Sequence, residues 1–230
     1  MDDARALFGI GLYRVGEAAR LVGIAPARLR RWVRSSAGSN RPTNLHPAVG
    51  FLIEDGDETY LDFRDLMELR VVAGLIDEGL APAYVRGIYE AVADEIDDER
   101  PFSTETFRSR FQTNGRRLYR RTVERGSGVR LEEVLTGQHE FERIIRPSLR
   151  NVEFERGLAA RWMPEQGRGD VVLDPNRSFG TPVAMRSGVP TRSLLDAYER
   201  TGSYRAAAWE YEVGERDVRS AVQFEQRLAA

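Results

Sequence analysis

Two helices of about two turns each, joined at a single glycine, are encoded between Tyr13 and Arg34, where the chain runs YRVGEAARLVGIAPARLRRWVR. Val15, Ala18, Ala19 and Val22 recur at the i, i+3, i+4, i+7 spacing that lines one side of a helix. Gly23-Ile24-Ala25 interrupts the pattern. Pro26 then stands where a second helix can begin, because the first turn of a helix does not use that N–H. In the second helix Leu29, Trp32 and Val33 form the apolar side, and Arg28, Arg30, Arg31 and Arg34 are left outside it. A tight pair of helices with arginine on the second fits a helix-turn-helix, since guanidinium forks suit phosphates and guanine edges. An αα-hairpin with a solvated charged side fits the same residues.

The 230 residues leave room for one large domain or two to three small ones. There is no cysteine, which removes disulfides, thiolate metal sites and a cysteine nucleophile together. No apolar run approaches the roughly 20 residues of a membrane span, and the Met-Asp-Asp start lacks signal-peptide character. A soluble cytoplasmic protein with no membrane association is therefore expected. The net charge of −2 conceals an uneven distribution: +4 over residues 1–40, −10 over 41–100, +5 over 101–168 and −1 over 169–230. That is a local basic footprint and not the pattern of a protein that coats nucleic acid. Every basic side chain apart from the two histidines is arginine, so part of the arginine enrichment is composition.

Beyond the helical pair, Phe51-Leu52-Ile53 and Thr59-Tyr60-Leu61 flank Glu54-Asp55-Gly56-Asp57-Glu58 and predict a β-hairpin. Asp62 with Asp65 marks a helix start, and Leu66, Leu69, Ala73 and Ile76 give that helix an apolar side. Gly79 closes it, Ala81-Pro82 opens the next, and Val85, Ile88, Tyr89, Val92 and Ile96 continue the pattern. This order over residues 13–97 resembles the DNA-binding domain of MerR-type winged helix-turn-helix regulators. The resemblance implies that Arg28, Arg30 and Arg31, at the matching positions of the second helix, face DNA, with Arg34 in the same basic set. It also implies a homodimer or higher even oligomer reading paired half-sites. Two departures stand out. The tip of the hairpin is acidic where such a wing usually meets phosphate with basic residues. Pro101, after Asp97-Asp98-Glu99, stops the helix through which such regulators dimerise.

Residues 101–169 carry mixed signals. Phe107 to Phe111 and Leu118 to Val123 fit strands about Asn114-Gly115, although the same residues allow a helix before the turn. Leu131 to Ile145 has helical spacing broken at Gly137, and Val152-Glu153-Phe154 and Leu158 to Trp162 have strand character. Arg108, Arg110, Arg116, Arg117, Arg120 and Arg121 form either a solvated face or a surface for an acidic partner.

From Gly169 the chain gives a short strand with an Asp174-Pro175 turn, then Phe179-Gly180-Thr181-Pro182 and Gly188-Val189-Pro190-Thr191, then three helical segments. Thr191 and Ser203 are placed to cap the first two. The third, Glu215 to Leu228, mixes acids with arginines and suits a protein surface better than DNA. This order over 170–228 resembles a small domain of bacterial antitoxins that accompany PIN-type ribonucleases, and the whole chain resembles a VapB-type antitoxin. The expected fold is mainly α (α+β): a winged helix-turn-helix over 1–100, a mixed middle segment over 101–169 and a three-helix module over 170–230. The resemblance implies a PIN-type ribonuclease toxin and operator DNA as partners. Arginines able to enter the toxin's acidic site are Arg116, Arg117, Arg120 and Arg121, with Arg177 and Arg186 as rivals, and residues 101–230 would suffice for inhibition. Neither catalysis nor a cofactor or metal is expected: His46 and His139 are isolated, and no HExxH, phosphate loop or nucleophile elbow occurs. A stand-alone transcription regulator, or an interaction module whose head has lost DNA binding, remains open beside the antitoxin.

Overall fold

A computed structural model of the chain describes residues 10–34, 53–55, 58–110, 145–164 and 170–229. Its elements run β1 (Tyr13–Arg14), α1 (Val15–Val22), α2 (Pro26–Arg34), β2 (Ile53–Asp55), β3 (Glu58–Leu61), α3 (Phe63–Asp77), α4 (Pro82–Ile96), β4 (Val152–Glu155), β5 (Leu158–Trp162), β6 (Val171–Val172), β7 (Val183–Ala184), α5 (Thr191–Thr201), α6 (Tyr204–Glu210) and α7 (Glu215–Ala229). The protein is mainly helical with small antiparallel sheets.

The helix-turn-helix forms for the reasons its sequence suggests. Gly23 closes α1 in the left-handed region at φ 77°, and its N–H and that of Ile24 return to the last turn. β3 lies between β1 and β2, so the hairpin wing is stitched to the strand that leads into α1, with Tyr13 opposite Leu61. The Asp62 and Asp65 side chains exchange hydrogen bonds with each other's backbone N–H, a reciprocal box that starts α3.

α3 is the centre of the molecule. An ordinary surface helix buries one stripe, whereas α3 buries Phe63, Leu66, Met67, Leu69, Val71, Val72, Ala73 and Leu75 around most of its circumference. The apolar cluster it anchors takes in Leu29 and Trp32 of α2, and Val85, Ile88 and Tyr89 of α4. It continues through Phe102, Phe107, Trp162, Val171 and Phe224, and so takes in described residues on both sides of 100 and of 165–169. A second cluster (Leu194, Leu195, Ala207, Val218, Ala221, Val222) holds the three C-terminal helices together. The strand β1 also meets the turn before β7 directly. Leu12 N–H donates to the Phe179 carbonyl at 3.0 Å, and the buried Tyr13 hydroxyl donates to the Gly180 carbonyl at 2.8 Å.

Two local expectations change. Residues 105–110 take the helical alternative, following a 3-10 turn at Pro101–Ser103; positions 111–144, including the second proposed strand and all of Leu131 to Ile145 but its last residue, lie outside the described residues. Thr191 is the first residue of α5 and not its cap. Pro190 precedes it, and the Thr191 hydroxyl is engaged with the Pro182 carbonyl and Glu225. Ser203 does cap α6, its Oγ accepting from Ala206 N–H at 3.3 Å. Ser203→Ala should therefore cost about 1 kcal/mol in urea unfolding, with no change in m-value. A difference below ~0.3 kcal/mol would show that the neighbouring Thr201 hydroxyl compensates.

Candidate nucleic-acid interface

α2 meets the core through Leu29, which is fully buried, and Trp32. Its opposite side therefore carries positions 27, 30, 31 and 34, again at i, i+3, i+4, i+7 spacing. Ala27, Arg30 and Arg31 are exposed there. Arg30 crosses over the first turn of α1: its Nη2 lies 3.9 Å from where a side chain on Gly16 would begin. Arg20, exposed in the last turn of α1, adds a further cation on the same two-helix unit. α1 is backed from the other end of the chain by α7, whose Phe224 and Leu228 join the main apolar cluster.

Arg28 differs from its neighbours. It sits beside the apolar stripe, and its Nη1 donates to Asp77 Oδ1 at 2.7 Å. Its guanidinium carbon is 5.1 Å from the Trp32 ring centroid. Of the arginines expected to face DNA, Arg30 and Arg31 share an open face, Arg34 follows one turn on, and Arg28 is held against the end of α3.

The arginines expected to meet a protein partner also separate. Arg116, Arg117, Arg120 and Arg121 lie outside the described residues. Arg177 is half-buried; its Nη1 reaches the Met185 carbonyl at 3.4 Å, and its Nη2 fills the space that a side chain on Gly188 would need. It braces a turn. Arg186 is exposed in that turn. α7, far from free, buries Asp217, Val218, Ser220, Ala221, Val222 and Phe224, and Arg216 and Ser220 hold the buried Asp170 at 3.0–3.2 Å.

A buried acidic junction lies among α3, the end of α4 and the 3-10 turn, and none of the sequence expectations covers it. Glu68 is fully enclosed, and its two carboxylate oxygens accept from Ser103 N–H at 2.6 Å and Phe102 N–H at 3.1 Å. Loss of hydration pushes its pKa up to about 8, against the pull of those N–H groups and Arg64. Asp65, one turn earlier, is raised to about 7 by burial and then by the Asp62 charge, with Arg100 opposing. Arg100 pairs with Asp62, and Arg64 binds Asp98 at 2.8 Å and Ser103 Oγ at 2.9 Å. The signal was available: a helix apolar on nearly every side is buried, so its acids are buried too. Arg70, on the same helix, stacks 4.0 Å from the Trp162 ring centroid, and burial pulls its pKa down to about 9. Among the described residues no group of His, Asp and Glu is arranged to hold a metal ion, and no helix is long and apolar enough to cross a membrane.

The overall architecture matches a solved one: the crystal structure of Rv2018 from Mycobacterium tuberculosis superposes with a TM-score of 0.71 at 21% identity, covering 94% of this chain and 99% of that one. The fold is therefore shared along essentially the whole length. In sequence, the chain is 26% identical over 231 residues to the M. tuberculosis protein named "Putative antitoxin VapB45", covering 94% of both chains. No family model matches the chain.

Proposed function

We propose that the chain is the antitoxin of a toxin–antitoxin pair, a non-enzymatic protein that neutralises a PIN-type ribonuclease and represses its own operon by binding DNA through α2. The observation that carries the reading is end-to-end similarity to a protein of antitoxin name, in a fold that leaves Arg30 and Arg31 together on the open side of the second helix. A PIN-type ribonuclease gathers carboxylates around a divalent cation, and a guanidinium from the antitoxin pairs bidentately with such carboxylates. Arg186, exposed in the turn before α5, and the Arg116–Arg121 group are the candidates for that insertion. Arg177 is already committed to its own turn.

Co-expression with the adjacent reading frame tests the proposal. The two proteins should co-purify in fixed stoichiometry, and RNA cleavage by the partner should stop when the chain is added. The whole chain is required, because a cut at residue 100 would open the apolar cluster that runs through Phe102, Phe107 and Trp162. Full cleavage in the presence of excess folded chain would sink the antitoxin reading and leave a stand-alone regulator. For the DNA arm, the pair Arg30→Ala/Arg31→Ala should weaken binding to the chain's own upstream DNA. Each phosphate that is no longer neutralised should flatten the log K against log[salt] slope by about 0.9, whereas an arginine that reads a base edge should cost ~1–3 kcal/mol at one position when removed. A double variant that folds and binds as the wild type does would remove α2 as the reader.

A further inference from the structure

Asp77 is the last residue of α3, and no basic residue occupies that helix's last turn. An acid at this end faces the partial negative charge of the terminal carbonyls, so its placement does nothing for the helix itself. What it does touch is Arg28 of α2, at 2.7 Å, with side-chain exposures of 35% for Arg28 and 51% for Asp77. An ion pair this open is worth ~0–1 kcal/mol, enough to bias where the Arg28 guanidinium rests but too weak to set the orientation of α2. That orientation is already fixed by Leu29 and Trp32 in the core. The pair's effect is on the arginine. Arg28 sits on the flank of the two-helix unit, beside the open face of Arg30 and Arg31, and its guanidinium is drawn toward the end of α3 and over the Trp32 ring.

Resting on the DNA-binding reading, we propose that Asp77 withholds Arg28 from the phosphate backbone and so sets how many cations this face offers to DNA. The device sets overall affinity and leaves the ratio between sequences unchanged. A cation on the phosphate backbone strengthens binding to every sequence alike, so withholding one weakens binding to all DNA without touching base readout. Neutralising Asp77 releases the guanidinium, which then pairs with a phosphate and displaces one more counterion.

The test measures salt-dependent binding of the full-length protein to two duplexes, its own upstream DNA and an unrelated sequence of equal length. Wild type, Asp77→Asn, Arg28→Ala and the double variant are compared after far-UV circular dichroism and thermal melts show each to be folded. Asp77→Asn should steepen the log K against log[salt] slope by about 0.9 on both duplexes, tightening binding about threefold for each fourfold fall in salt. Arg28→Ala alone should leave the wild-type slope unchanged, and the double variant should match Arg28→Ala. Three results would overturn the inference. Flattening by Arg28→Ala alone would place Arg28 on phosphate already. Weaker binding by Asp77→Asn would make the pair a brace for α2. Steepening by Asp77→Asn that persists without Arg28 would reduce the effect to removal of a negative charge. If the wild type shows no salt-sensitive affinity for either duplex, the DNA-binding reading itself fails, and this inference fails with it.

Discussion

Replacing Gly180 with alanine is expected to destabilise the protein by about 3 kcal/mol or more, a large effect for the addition of one methyl group. Gly180 has φ +81°, a region in which a side chain costs ~1–2 kcal/mol. A Cβ there would lie 2.4 Å from the Tyr13 hydroxyl and 3.1 Å from the Gly11 backbone. Neither can move freely. Tyr13 is fully buried and its hydroxyl donates to the Gly180 carbonyl, while Gly11 lies between segments anchored at Ile10 and Leu12 by backbone hydrogen bonds. Forced overpacking of this kind adds ~1–3 kcal/mol, and the whole stability of such a chain is only ~5–15 kcal/mol. Urea unfolding should show the midpoint fall with little change in m-value. Tyr13→Phe removes the clashing oxygen, so the double variant should lose less than the sum of the two singles. A Gly180→Ala midpoint close to wild type would mean that the junction between β1 and the turn before β7 is soft.

The second large effect concerns pH. A carboxyl whose pKa is raised on folding binds its proton more tightly in the folded state, so it favours folding at low pH and loses that advantage as pH rises. For Glu68 the window runs from its ordinary value of 4.5 to about 8. Asp65, raised from 3.8 to about 7, has the same sign. Glu68→Gln should therefore hold stability more nearly constant across that window, because the amide is neutral throughout. The amide oxygen can still accept from Ser103, but its NH₂ meets the Phe102 N–H and adds a fixed penalty. The informative quantity is the trend: variant minus wild type should shift in the variant's favour by roughly 2–4 kcal/mol between pH 5 and pH 8.5. A difference that stays flat would mean that Glu68 is ionised throughout, held so by the two N–H groups and Arg64.

The helix-turn-helix, the box that starts α3, Pro82 at the head of α4 and the strands β4 and β5 (though not their pairing) were legible because local chemistry decides them. A left-handed glycine, a reciprocal pair of aspartates and a proline at a first turn each act within a few residues. Long-range choices were hidden. Arg28 and Arg30 are equivalent in the helical pattern, yet the approach of Asp77, 49 residues away, draws Arg28 into an ion pair. The boundaries expected near residues 100 and 169 have described residues of one apolar cluster on both sides. Arg177 and Arg186 were indistinguishable as sequence, and only the Gly188 turn separates a brace from an open cation. Positions 116 to 121 lie outside the described residues.

α3 reaches into each of these arrangements: Asp77 at its end holds Arg28, Glu68 in its middle receives the chain after α4, and Arg70 lies on Trp162. A helix enclosed on nearly all sides cannot expose its amides by fraying or by a local fluctuation, because any opening that admits solvent must first lift away several elements at once. Its central amides should therefore exchange with deuterium only through global unfolding, while those of α6, with Trp209 84% exposed at its edge, exchange through small openings. The slowest-exchanging peptide in a mass-spectrometric time course would then report the stability of the whole protein, and a partner that binds only the outside would slow it by no more than its binding free energy.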